Sequence, residues 1–111
     1  MSWLEVYTAQ YSYNGPHRLD ITVKSGNKAF APTWEMVMKT KKGKMSIEEY
    51  THRYTELMRK SYRENRSEWD KLLACEKVVL VCFCPPGAFC HRVLLAQMLE
   101  KLGAKYMGEI D

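Results

Sequence analysis

The chain is expected to fold as a small three-layer α/β domain, with a mixed, largely parallel sheet and helices on both faces. Three observations predict this. Lys77–Cys82 (KVVLVC) is apolar on both faces, as a central strand covered on each side would be. Beyond Pro85-Pro86-Gly87 comes a helix-patterned stretch that stops at Gly103 and leads into a last strand-like stretch. Helical and strand-like segments alternate along the chain in the order β-β-α-α-β-α-β, which is an α/β pattern. With 111 residues the chain carries one core, and 1–111 is read as a single domain.

Residues 4–13 (LEVYTAQYSY) are rich in β-branched and aromatic residues and meet a turn signal at Asn14-Gly15-Pro16, so they read as the first strand. Residues 19–24 (LDITVK) alternate with period two and stop at Ser25-Gly26-Asn27, giving a second strand. Thr33 is placed to cap a short helix carrying Trp34, Met36, Val37 and Met38. Ser46-Ile47-Glu48-Glu49 matches a capping box. The segment that follows sets Ile47, Tyr50, Tyr54, Leu57 and Met58 on one side at helical spacing. Residues 46–74 are thus one long helix or two in series. Residues 90–102 form the next helix and 104–110 the final strand, with glycine at 103 as the C-terminal stop.

Composition removes several classes. No run approaches the ~20 apolar residues of a membrane span, and MSWLEVYT has no basic region followed by an apolar one, so a cytoplasmic protein is expected. Four cysteines without an export pattern predict thiols in a reducing compartment. The net charge of +4 suits a small anionic ligand better than nucleic acid, which takes a denser basic stripe. Lys39, Lys41, Lys42 and Lys44 read as a solvated loop around Gly43.

The chemistry concentrates in residues 78–92 (VVLVCFCPPGAFCHR). A buried strand, a tight loop and a helix start come together there. Ligands collect at the carboxyl ends of parallel strands, and a helix N-terminus favours anions. His91 and Arg92 open that helix, and arginine's planar fork suits phosphate or carboxylate. Cys84, Pro85 and Cys90 line the same place. From the first half, Gln10, Tyr11, Asp20, Lys24 and Trp34 are candidate ligand contacts, with Tyr11, Phe30 and Trp34 available for stacking on a base. Cys84 or Cys90 beside a helix N-terminus could act as a nucleophile. Neither Cys84-x7-Arg92 nor Cys90-x-Arg92 has the spacing of a phosphatase loop, and no third residue orients His91 as a triad would. Cys82, Cys84, Cys90 and His91 match no common zinc spacing, so no metal and no cofactor are expected. His17 and His52 read as exposed. Cysteine also packs as a small hydrophobe, which is the reading for Cys75 and Cys82.

The stretch from Val78 onward resembles the domain-of-unknown-function family numbered 488. It carries an apolar strand, a short loop, the triplet Cys90-His91-Arg92 opening a helix, and a glycine before a last strand. Earlier, LDITV with Pro32-Thr33-Trp34 is similar to that family's Asp-containing strand, with Asp20 matching the aspartate; its following arginine has only Lys24 nearby. The resemblance implies a compact α/β fold with a pocket around Cys-His-Arg, and no established reaction.

The leading expectation is a module that binds, and by holding sequesters, a nucleotide- or phosphate-type ligand. The alternative is a cysteine- or histidine-dependent hydrolase or transferase acting on a nucleotide-like substrate, with Cys84, Cys90 or His91 as its reactive residue. A third class is a protein-interaction inhibitor domain, to which the tyrosines, tryptophans and methionines would lend an interface. Pairing into a homodimer is left open by the sequence.

Overall fold

The structure is a computed structural model that describes residues 3–83 and 91–110. Its elements run β1 (Glu5–Gln10), β2 (Arg18–Asp20), α1 (Trp34–Lys41), α2 (Ile47–Glu64), α3 (Arg66–Leu73), β3 (Lys77–Cys82), α4 (His91–Lys101) and β4 (Lys105–Glu109). The α/β class is as expected. The sheet has four strands in the order β2-β3-β1-β4, and each pairing among them is parallel, where a mixed sheet was expected.

The difference arises at residues 11–17. Their turn signal suggests a simple reversal, but the chain crosses β3 and runs parallel again. The register explains how so short a link suffices. Gln10 is level with Cys82, whereas Arg18 is level with Val79. The link therefore drops three residues and spans two strand spacings, roughly 14 Å, within the ~23 Å that seven extended residues reach.

Handedness then decides where the helices go. Parallel crossovers are right-handed almost without exception. From β2 to β3, and from β3 to β4, the chain moves toward the β4 edge; from β1 to β2 it moves the other way. Crossovers of one hand that travel in opposite directions must lie on opposite faces. The burial follows this rule. Val6, Val78, Leu80 and Cys82 share a core with Met36 of α1, Tyr54 of α2, Trp69 of α3 and Leu95 of α4. The other face, Ala9, Val79 and Val81, is covered by Tyr7, Tyr11, Tyr13 and Ile110. Helices on both faces, the sequence expectation, gives way to helices on one face and a tyrosine-rich crossover on the other. The apolar character of β3 on both sides stands.

Local chemistry sets the element ends. Thr33 Oγ1 accepts from the Met36 amide (3.2 Å) and Ser46 Oγ from the Glu49 amide (3.0 Å), so both predicted caps are formed. The 46–74 segment is two helices, broken at Asn65, which stands outside helical geometry at φ −120°. β2 is shorter than the predicted 19–24. Asp20 Oδ1 accepts from the Thr22 amide (2.8 Å) and turns the chain out of the sheet. The turn closes through Gly26 N–H to Thr22 O and Asn27 N–H to Asp20 O. A side chain at Gly26 would sit 2.4 Å from the Thr22 backbone nitrogen, so the turn requires glycine there.

β4 carries a bulge. Val6 pairs with Tyr106 but Tyr7 pairs with Gly108, leaving Met107 extra. Gly108 stands at φ 117°, a region that favours glycine. Side chains alternate along a strand, so one extra residue flips all that follow. Glu109 is thereby level with Thr8 and faces the helices; without the bulge it would be level with Ala9 and face away.

Behind the sheet, Ser61 joins three segments. Its Oγ donates to Ala29 O (2.6 Å) and accepts from Trp69 Nε1 (3.1 Å) and Asn65 Nδ2 (3.3 Å). The bonds to Ala29 and Trp69 are buried beside Phe30, whereas Asn65 is exposed. Ser61→Ala should lower stability by about 1–3 kcal/mol, because it orphans a buried donor, Trp69 Nε1, and a buried acceptor, Ala29 O. Urea unfolding would show this as a lower midpoint at unchanged slope; an unchanged midpoint would remove Ser61 from the account.

Candidate functional site

The carboxyl ends of the four parallel strands lie on one side, at Gln10, Asp20, Cys82 and Glu109. β1 and β3 are neighbours there, yet the chain leaves β1 toward one face and returns from β3 to β4 on the other. Such a divergence is a topological switch point, where open parallel sheets form a crevice. Two groups of side chains meet at it.

The first group faces the helices. Arg92, in the first turn of α4, is 2% exposed. Its Nε donates to Glu109 Oε1 (3.1 Å), Nη2 to Glu109 Oε2 (2.8 Å), and Nη1 contacts Cys82 Sγ at 3.1 Å. Thr8 Oγ1 lies 2.7 Å from the Tyr106 hydroxyl, and Thr8 is level with Glu109 across the β1–β4 pairing. Partial burial of Glu109 opposes its ionisation, but the hydrogen bonds and charge of Arg92 and the Thr8 hydroxyl outweigh it and hold the carboxyl below its usual range. Buried His91 donates Nε2–H to Ile21 O (2.7 Å) and meets the Tyr54 ring edge-on at 5.5 Å. Burial pushes it down to about 4, so it is neutral at pH 7.

The second group lies around Tyr11. Its ring stacks on Phe83 at 4.0 Å and 18°, and the Arg18 guanidinium stands over it at 4.6 Å. Two groups this close to one centroid cannot share a face, so Tyr11 is sandwiched. Arg18 is held by Tyr13 O (2.8 Å) and Tyr11 O (3.0 Å). The Tyr11 hydroxyl reaches Ser25 Oγ (3.2 Å), which donates to Asp20 Oδ2 (2.6 Å). For Asp20, burial opposes ionisation, but hydrogen bonds from Ser25 and Thr22 and the Arg18 charge prevail and lower its pKa. Phe83 is 63% exposed.

The structure thus brings Gln10, Tyr11, Asp20, His91 and Arg92 to one edge. Lys24 and Trp34 are exposed, and among the described residues no hydrogen bond, ion pair or ring contact joins them to the cluster. Phe30 is buried edge-on against Trp69 and accepts the Tyr54 hydroxyl at its carbonyl; it is core, not a stacking platform. Cys84, Pro85 and Cys90 lie outside the described residues. Cys82 is disulfide-bonded, so it departs from the all-thiol expectation. Cys75 is free and exposed. Among the described residues no three His, Cys, Asp or Glu side chains gather as a metal site, and no helix is long and apolar enough to cross a membrane.

Sequence reasoning missed Glu109, Phe83 and Arg18. Phe83 follows the central strand directly and was legible as an edge aromatic. Glu109 is hidden by the bulge, whose one sign in the sequence is Gly108.

Two outcomes follow. Gly108→Ala should cost about 1–3 kcal/mol through its positive φ and loosen the Arg92–Glu109 pair, read as a lower melting temperature with a shifted Arg92 Nε–H resonance; a parent-like spectrum would detach the pair from the bulge. For His91 the folded pKa lies below the unfolded value of ~6.5, so its contribution is complete above pH ~6.5. It is lost at up to ~1.4 kcal/mol per pH unit as pH falls toward 4. His91→Gln should flatten stability between pH 6 and 4.5; a slope that persists would belong to other groups.

No curated protein and no solved structure matches the chain. Residues 3–103 match the family described as "DUF488-N3a: Active DUF488-N3 subclade". The match takes in both groups at the strand ends except Tyr106 and Glu109. The chain with the Arg92-latched helix start at its switch point belongs to the DUF488 family.

Proposed function

We propose that the chain binds, and by holding it sequesters, a small anionic ligand of nucleotide type at the crevice between the ends of β1 and β3. The observation that carries the reading is the exposed Phe83 ring at the topological switch point, stacked on Tyr11 and backed by Arg18. An aromatic ring held flat by two layers behind it, with its outer side toward water, is a platform for a planar base. The positive charge of exposed Arg18 and the N-terminus of α4 favour an anion nearby. His91, neutral and committed to a backbone carbonyl, pins α4 to the end of β2 and is poorly placed to move protons at pH 7.

A second reading is a cysteine-dependent reaction on such a ligand. It is favoured by the Arg92 Nη1 contact to Cys82 Sγ at 3.1 Å once a thiol reductant opens the Cys82 disulfide, since a guanidinium beside the released sulfur stabilises its thiolate. The family's printed description calls the subclade active and names no reaction.

Calorimetric titration with AMP tests the first reading. Binding is expected, and Phe83→Ala should weaken it by about tenfold or more, the usual range for loss of one base-stacking contact. Absence of binding, or an unaffected Phe83→Ala variant, would overturn it. Mass analysis of the recovered nucleotide separates the readings: intact AMP supports holding, and a cleaved or transferred product supports the enzyme.

A further inference from the structure

The buried Arg92 has an unequal partner. The guanidinium is 2% exposed while the Glu109 side chain is 28% exposed, so the carboxylate stands between the cation and water. It takes one N–H on each oxygen, from Nε and Nη2. That two-pronged contact fits a phosphate as well as a carboxylate. A buried guanidinium with no anion is strongly disfavoured, so this position is always filled, but nothing restricts it to one occupant. Glu109 sits on an edge strand just beyond a bulge, where its side chain can leave for water without disturbing the core.

Resting on the ligand reading above, we propose that Glu109 is an internal stand-in for the ligand's oxyanion: a phosphomonoester exchanges with it on the Nε–Nη2 side of Arg92. A phosphomonoester carries more charge at neutral pH than one carboxylate, so it has the advantage in that exchange, whereas a free carboxylate does not. The site so defined reads the phosphate, and Phe83 reads the base. Glu109 lies beyond the residues matched to the family, so the stand-in is argued from this chain's own bulge and register.

Wild type and Glu109→Gln are titrated with AMP, adenosine and inorganic phosphate, following heat and the Arg92 Nε–H resonance. With the competing charge removed, Glu109→Gln should bind AMP and inorganic phosphate roughly tenfold more tightly or better, with adenosine unchanged. A latch that is merely structural predicts the reverse, since its loss disorders the site. Equal affinity for AMP and adenosine in both proteins overturns the exchange and leaves the base platform standing. Inorganic phosphate bound by Glu109→Gln with no added gain from the nucleoside upholds the exchange and removes the nucleotide reading. Weaker binding of phosphate and AMP by the variant, or none, overturns the exchange. Should Glu109→Gln not fold, Glu109→Asp keeps the charge but withdraws it by one methylene; a several-fold gain for phosphate is expected, and no gain overturns the proposal.

Discussion

The constraint on which the structure turns is the single hand of parallel crossovers. Every strand here is parallel to its neighbours, so each must be reached by a connection that crosses the sheet, and all connections wind the same way. With the order β2-β3-β1-β4, that rule sends α1–α4 to one face and residues 11–17 to the other. It makes the ends of β1 and β3 a topological switch point, because their outgoing chains part there. Tyr11, one of the tyrosines that cover Val79 and Val81, is therefore also a residue of the strand-end cluster. Core and site share one cause.

The site is built by pinning a helix rather than by freeing its charges. His91 binds the end of β2 through Ile21, and Arg92 binds the ends of β3 and β4 through Cys82 and Glu109. Two adjacent residues thus tie the start of α4 to three strands. Both are buried, and burial sets their character: the imidazole is kept neutral, and the guanidinium is kept paired. What remains open at the edge is aromatic, with Phe83 outermost.

Much of this was legible. β3 was read at its true bounds because the apolar residues Val78–Cys82 follow charged Lys77 and lead toward the Pro85-Pro86-Gly87 punctuation. The caps at Thr33 and Ser46 were read because hydroxyl capping is local chemistry. The position of His91 and Arg92 beside the strand ends followed from a strand, a loop and a helix in sequence. Strand order was not legible, since it depends on which strand Arg18 meets, and with it went the distribution of helices between the faces. Lys24 and Trp34 were drawn toward the site by residue type alone. Phe30, an aromatic in a loop, was taken for a platform, but its neighbours Tyr54 and Trp69 lie far along the chain. Glu109 was lost because period-two reasoning assumes an unbroken strand.

The edges of the open sheet carry a further consequence. A sheet with free edge strands invites another chain to add to it. β2 exposes only Arg18–Asp20 before the Asp20 turn takes the backbone away. β4 is interrupted by its bulge, with Lys105 and Glu109 at its ends. β2 is short and β4 irregular, so both margins are poor templates for a further strand. The bulge that turns Glu109 toward Arg92 thus also breaks the regular backbone repeat that an added strand would need.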